Sequence, residues 1–147
     1  MTTFAEARDE IYGLFQTALL ASAWSSVRVI YPNVEADPLD STPDITSQQP
    51  DPWIRASVTH YSGRQTTIGG PLQRFERRGA FRAEIYVARS RGMSQADLIA
   101  KVVSDAFEGQ NTSSGIWFRN VRMDEIGPDG IWFRVDVIAD FRYDEIK

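Results

Sequence analysis

Apolar residues recur at steps of three and four along the first part of the chain, the spacing of one face of an amphipathic helix. The positions are Phe4, Ala7, Ile11, Leu14, Phe15, Ala18 and Leu19. Thr3 and Glu6 have the spacing of a capping box, in which each side chain satisfies a backbone N–H at the helix start. The pattern predicts a helix near 4–23 whose apolar stripe faces the core.

A second helical stripe follows Gly92, and its members are Leu98, Ile99, Val102, Val103, Ala106 and Phe107. Ser94 with Asp97 indicates a cap at the start of this helix, and Gly109 indicates its end. The sequence therefore predicts a second helix near 95–108.

Elsewhere the alternation of apolar and polar residues has the period of strands. Strands are expected at 27–31, at 53–61 with an end at Ser62 and Gly63, and across 72–88. Gly79 interrupts the last of these, which leaves open two strands or one bulged strand. The motif GIWFR at 115–119 and 130–134 flanks a GPDG turn and predicts two paired strands.

The final strand separates its residues onto two faces. Apolar residues occupy one face, namely Ile131, Phe133, Val135, Val137, Ala139, Phe141 and Tyr143, and the other carries Trp132, Arg134, Asp136, Ile138, Asp140 and Arg142. One face should be core and the other charged. The order of elements predicts an α+β fold, with a largely antiparallel or mixed β-sheet and two helices packed on one face. At 147 residues, a single domain spanning 1–147 is expected.

Residues 33–52 hold four prolines and five acidic residues with no basic one. Loops beyond about 12–15 residues are uncommon in compact domains unless they bind something or stay mobile. A long acidic surface loop without regular structure is predicted there, either mobile or docked on a neighbour.

The composition, 42% hydrophobic and 24% charged, is typical of a globular protein. No apolar run approaches the about 18 residues of a membrane span, and the start lacks a signal-peptide pattern, so membrane and secreted classes are not expected. Without cysteine, disulfides and thiolate metal sites are excluded.

Catalytic signatures are absent. The single histidine, His60, lies in a predicted strand and is expected to be structural or exposed. The acidic pairs, Asp124 with Glu125 and Asp144 with Glu145, lie next to turns or the terminus, where solvated acids are common. The Gly69-Gly70 segment matches neither phosphate-binding fingerprint. We therefore expect no enzyme activity, cofactor or metal site.

Basic residues concentrate in the middle of an otherwise acidic chain. Residues 53–91 carry eight arginines against two glutamates, although the net charge of the chain is −4. Arginine forms bidentate and stacked contacts and is enriched in protein interfaces. Contact with a nucleic-acid backbone is the alternative, but the acidity of the whole chain opposes it. The predicted interface residues are Arg64, Gln65, Arg74, Arg77, Arg78 and Arg82.

Several segments taken together resemble the small tail terminator proteins of long-tailed bacteriophages. After the opening helix and Trp24, they are YPN at 31–33, WIR at 53–55, GRQTTIGG at 63–70, RRG at 77–79, FEG at 107–109 and FRYDE at 141–145. Their order and spacing carry the resemblance, which covers most of the chain, and none is a catalytic signature.

The resemblance implies a structural virion protein at the head-proximal end of the tail, assembled in the host cytoplasm. Its subunits would form a homo-oligomeric ring, typically hexameric, that caps the tail tube and offers a surface to a head–tail connector. Viral DNA would pass through the lumen without sequence-specific binding. Reversing the charges of Arg77 and Arg78 should then weaken assembly while the monomer stays folded. The first alternative is a different neck protein that contacts DNA. The second is a ligand-binding or enzymatic domain.

Overall fold

The computed structural model describes residues 2–33, 51–89 and 92–147. Nearly all of the predicted acidic loop lies outside the described residues. Within them the elements are α1 (Phe4–Leu20), β1 (Arg28–Ile30), β2 (Trp53–Gln65), β3 (Arg74–Ala88), α2 (Ser94–Phe107), β4 (Trp117–Asp129) and β5 (Trp132–Ile146). None of the helices described is long and apolar enough to cross a membrane.

The strands form one five-stranded sheet in the order β1-β2-β3-β5-β4. β1 runs parallel to β2, and the other neighbours are antiparallel. The repeated GIWFR segments enter β4 and β5, which pair as predicted. The predicted α+β fold with a mixed sheet and two helices is confirmed.

Both helices bury their apolar stripes against the same face of the sheet. Phe81 on β3 is fully buried, and its ring lies 5.3 Å from that of Phe15 on α1 and 4.6 Å from that of Phe107 on α2. Burying an aromatic or aliphatic side chain of this size contributes about 1.5–3 kcal/mol. Such contacts hold the helices on one face and leave the other face of the described sheet mainly to charged and aromatic side chains and to Ile138.

The two helix starts differ. At α1 the capping box is present: the Thr3 N–H donates to a Glu6 carboxylate oxygen at 2.8 Å, and the Glu6 N–H donates to the Thr3 hydroxyl at 3.3 Å. At α2 the prediction that Ser94 is the N-cap is wrong, because the helix already begins at Ser94. Met93 occupies the N-cap without a side-chain hydrogen bond, and Ser94 is the first helical residue.

One predicted strand end is corrected, and the alternatives left open around Gly79 are resolved. β2 continues through Ser62 and Gly63 to Gln65, because a register shift between His60 and Ser62 bends the strand without ending it. β3 is one continuous strand, and Gly79 stands inside it because a Cβ there would collide with the Thr59 carbonyl oxygen and the Phe141 ring. Glycine thus serves close packing at this position and not a strand break.

Candidate assembly surface

The sheet face turned away from the helices, here called the outer face, is lined by alternate residues of the two central strands. They include Glu76, Arg78, Ala80, Arg82, Glu84 and Tyr86 on β3, and Trp132, Arg134, Asp136, Ile138, Asp140 and Arg142 on β5. The predicted charged face of β5 is therefore the outer face.

Asp136 is the centre of the outer face and is completely buried. One carboxylate oxygen accepts from Arg82 Nη1 at 2.6 Å, and Arg134 donates to both oxygens, each at 2.9 Å. Three charge-assisted hydrogen bonds make this buried carboxylate tolerable, since a buried charge is costly unless paired. The hydrogen bond to Asp136 also raises the pKa of the Arg134 guanidinium above its ordinary range.

Arg134 joins this centre to a second acid on β3. Its Nη2 donates to Glu84 Oε1 at 2.8 Å, and Arg55 Nη1 lies 3.5 Å from the other Glu84 oxygen. Beside them Trp53 stacks on Tyr86 with ring centroids 4.1 Å apart and an interplanar angle of 5°. The result is a connected patch of charge and aromatic surface across β2, β3 and β5.

Further along the outer face, Glu76 accepts from Arg78 Nε at 2.7 Å and lies 3.4 Å from Arg142 Nη1. Arg64 is the residue opposite Glu76 on β2, because the register shift after His60 moves it to this face. Burial disfavours the charged form of Glu76, but the hydrogen bond from Arg78 and the charges of Arg78, Arg142 and Arg64 outweigh it and lower the pKa.

The remaining exposed members of the predicted interface flank the loop that joins β2 to β3. Arg74 Nε is 3.8 Å from an Asp144 oxygen, with about half of each side chain exposed. Gln65 donates to the Thr67 carbonyl at 2.8 Å. Exposed pairs of this kind contribute about 0–1 kcal/mol to stability, so Arg74 is available to an external partner at little cost.

Arg77 differs from the other predicted interface arginines, because it points to the helix side of the sheet. Its guanidinium pairs with Glu145 at 2.9 Å and lies over the rings of Phe4 and Phe75 at 5.0 and 5.4 Å. Only 16% of the Arg77 side chain and 11% of the Glu145 side chain are exposed. Gly63, opposite Arg77 on β2, leaves the space that this guanidinium fills.

His60 has the structural role that was expected. Its Nε2 is 2.9 Å from the Tyr143 hydroxyl, and its ring meets those of Phe4 and Phe141 edge-on. Burial, followed by the charges of Arg8 and Arg77, lowers the pKa of His60. Burial also raises the pKa of Tyr143 to about 12. Both groups are therefore neutral near pH 7.

Four of the six predicted interface residues, Arg74, Arg77, Arg78 and Arg82, already have carboxylate partners within the chain. Sequence reasoning did not select Arg55, Glu84, Arg134 or Asp136 as site residues. The alternation along β5 had placed Arg134 and Asp136 on a charged face, but their link to Glu84 and Arg55 depends on strand register.

The described residues hold no group of three or more acids and histidine suited to a metal ion. An open cleft of about 830 Å³ is lined by Glu6, Asp9, Glu10 and Asp144 together with Thr2, Ser113, Ser114 and Ile146. Every buried side-chain nitrogen and oxygen in the described residues has a hydrogen-bond partner. The surface is thus held together internally and presents fixed charges and aromatic rings.

Solved structures of other proteins align with most of this chain. A solved protein whose name states no function aligns with a TM-score of 0.62 at 16% identity, over 91% of this chain and 93% of its own. A chain from the virion of a native gene transfer agent particle aligns with a TM-score of 0.47 at 17% identity, over 92% of this chain and 98% of its own. The first likeness shows a shared fold.

The family of the protein follows from its sequence. No curated protein matches the chain. The family model described as phage tail terminator protein matches residues 10–137. The match runs from within α1 into β5 and includes all of the central strand β3. Because it covers most of the 147 residues, the protein belongs to the phage tail terminator family and is a structural component of the phage tail.

Proposed function

We propose that the protein assembles into a hexameric ring that caps the head-proximal end of a phage tail tube. The ring ends tube polymerisation, presents a surface to the head–tail connector, and lets DNA pass through its lumen without sequence-specific binding. The observation that carries this proposal is the family match over residues 10–137.

The charge distribution supports assembly into a closed ring. A heterologous interface needs two different complementary patches on each subunit. The loop end of the β2–β3 hairpin provides the exposed Arg64 and Arg74, while the first turns of α1 provide Glu6, Asp9 and Glu10. Opposite charges on different parts of one surface favour contact between unlike patches of neighbouring copies.

The paired outer face supports a role in docking. Its arginines are held by Asp136, Glu84 and Glu76, so little side-chain freedom is lost when a partner binds. Surfaces that are already ordered bind at a lower entropic cost. Trp53, Tyr86 and Arg55 add the aromatic and guanidinium groups that are enriched at interfaces.

Electron microscopy of negatively stained particles tests the proposal directly. Purified protein is imaged alone and after incubation with tubes of the cognate tail tube protein, and its mass is measured by light scattering. We expect six-fold rings at one end of each tube and an arrest of tube growth. A protein that neither forms rings nor arrests growth contradicts the proposal.

A charge variant extends the test to the predicted interface. Arg64→Glu should keep the circular dichroism spectrum and reduce the capped fraction of tubes at moderate salt. Arg89→Glu makes the same charge change at an exposed position just after β3, at the far end of that strand from the hairpin loop, and should cap tubes normally. Salt-sensitive DNA binding without capping would favour another neck protein, and turnover of a small substrate would favour an enzyme.

A further inference from the structure

The tip of the β2–β3 hairpin, residues 66–73, combines local order with exposed apolar side chains. Thr66 N–H donates to the Arg74 carbonyl at 2.8 Å, and Arg74 N–H donates to the Thr67 hydroxyl at 2.8 Å. Nevertheless Ile68 is 100% exposed and Leu72 is 67% exposed. Two large aliphatic side chains on an ordered protrusion indicate a surface that becomes buried in a complex.

The charge of the hairpin restricts its partner. Residues 61–75 include Arg64 and Arg74 and no acid. No described carboxylate lies within ion-pair distance of Arg64, and Arg74 is held only by the 3.8 Å contact to Asp144. The partner should therefore combine an apolar floor with acids at its rim.

A groove of about 500 Å³ between α1 and α2 has these properties. Its floor is formed by Gly13, Leu14, Ala18 and Ala106, and Glu10 and Asp105 lie among the residues that line it. A Cβ at Gly13 would meet no atom within 4 Å, so the floor is open at this point. Small side chains leave room for Ile68 and Leu72. Asp105 is paired with Lys101 at 2.9 Å, but this is an exposed (i, i+4) pair of the kind that contributes only about 0.3–0.5 kcal/mol, so both acids can still meet the arginines of the hairpin.

We propose that the hairpin tip of one subunit docks in the α1–α2 groove of a second copy of this chain. The inference rests on the proposed ring and identifies its subunit interface. Ile68 and Leu72 enter the groove, while Arg64 and Arg74 approach Glu10 and Asp105. The tip and the groove are different patches, so the contact is heterologous and can be repeated around a closed ring.

Cysteine cross-linking tests the contact, because the chain has no cysteine of its own. Ile68→Cys and Ala18→Cys are prepared as separate proteins, mixed, assembled with tail tubes and oxidised. We expect a disulfide-linked heterodimer at least tenfold more abundant than in a mixture of Ile68→Cys with Glu125→Cys, an exposed site on β4. Equal yields in the two mixtures overturn the inference.

A second pair of variants separates docking from folding. Ile68→Asp should have the circular dichroism spectrum and the melting temperature of the wild type but should no longer assemble into rings. Ile126→Asp changes another exposed aliphatic residue, 50% exposed on β4, and should assemble normally. If Ile68→Asp forms rings but no longer caps tubes, the tip contacts the tube protein and the inference is wrong.

The outcomes for the ring and for the contact can be told apart. Wild-type rings that cap tubes without the Ile68–Ala18 cross-link support the proposed function and overturn the docking contact. If the wild type forms neither rings nor caps, the proposed function is wrong, and the cross-link alone then decides whether two copies dock in this way.

Discussion

Arg134 and Asp136 lie two positions apart on one face of β5 and are joined by two hydrogen bonds of 2.9 Å. Arg134 also reaches Glu84 on β3, the residue directly opposite Asp136 in the sheet register. Two acids facing each other across strands would repel. The guanidinium between them converts that repulsion into a bridge that links the two central strands.

Asp136→Asn should destabilise the fold, because one amide oxygen replaces two charged acceptors for Arg82 and Arg134. Both arginines are partly exposed and can reach water, so we expect a loss of about 1–3 kcal/mol in the free energy of unfolding, the usual cost of unsatisfied polar groups. Urea denaturation at pH 7 measures it. Asp129→Asn, exposed at the end of β4 and opposite Trp132, is the control and should change stability by no more than about 0.5 kcal/mol. Equal effects of the two variants would contradict the central role of Asp136.

Gly79→Ala should be destabilising even though it adds a single methyl group. That methyl collides with the Thr59 carbonyl oxygen and the Phe141 ring, and overpacking of this kind costs about 1–3 kcal/mol. Gly13→Ala should have the opposite sign, because Gly13 lies within α1 with open space around it and alanine favours a helix by about 1 kcal/mol. The melting temperatures of both variants check this prediction. A melting temperature of Gly79→Ala equal to that of the wild type would refute the close packing at Gly79.

His60 should titrate below its ordinary value of about 6.5. Burial lowers its folded-state pKa, so between that value and about 6.5 the unfolded chain binds the proton more readily than the folded one. Stability should therefore fall as the pH drops from about 7 through this window. As His60 is the only histidine, its ring proton resonance gives the midpoint directly by NMR.

A matched variant isolates the contribution of His60 to stability. His60→Gln should reduce the difference in melting temperature between pH 7.5 and pH 5.5, because glutamine does not titrate. A resonance midpoint at or above 6.5 in the wild type would show that burial does not disfavour the charged imidazole.

Arg77→Glu should destabilise the monomer, in contrast to the expectation from sequence that it would remain folded. It would place a second carboxylate beside Glu145 beneath Phe4, and we expect a loss near the lower end of the about 3–5 kcal/mol seen when a buried pair is broken. Arg64→Glu, exposed on the same hairpin, should cost no more than about 1 kcal/mol. Urea denaturation compares them, and similar midpoints would show that Arg77 is a surface residue.

Periodicity was sufficient for both helices, the sheet hairpin and the two-faced character of β5. Its stripes predicted α1 and α2 to within three residues of their observed ends. Strand breaks were less predictable, because Gly63 and Gly79 are explained by side chains from other strands. The space at Gly63 is filled by Arg77, and the space at Gly79 is taken by Phe141.

The same limit applies to the candidate surface. The arginines were predicted to share one interface because they are close together in the sequence. Their actual environments depend on which face of the sheet each side chain occupies. Arg77 and Arg78 are adjacent, yet one lies under Phe4 and the other pairs with Glu76 on the outer face. The register shift after His60 also determines which of Arg64 and Gln65 joins the outer face. Neither fact can be read from local composition.

β1 pairs with Trp53, Ile54 and Arg55 of β2, and further along β2 the Val58 N–H donates to the Tyr12 hydroxyl at 3.1 Å. A helix side chain thus takes the place of a strand. At the opposite edge, β4 is interrupted by two register shifts. Unprotected edges invite strand-by-strand stacking into fibrils, and both devices oppose it. We therefore expect the purified protein to resist amyloid-like aggregation at high concentration.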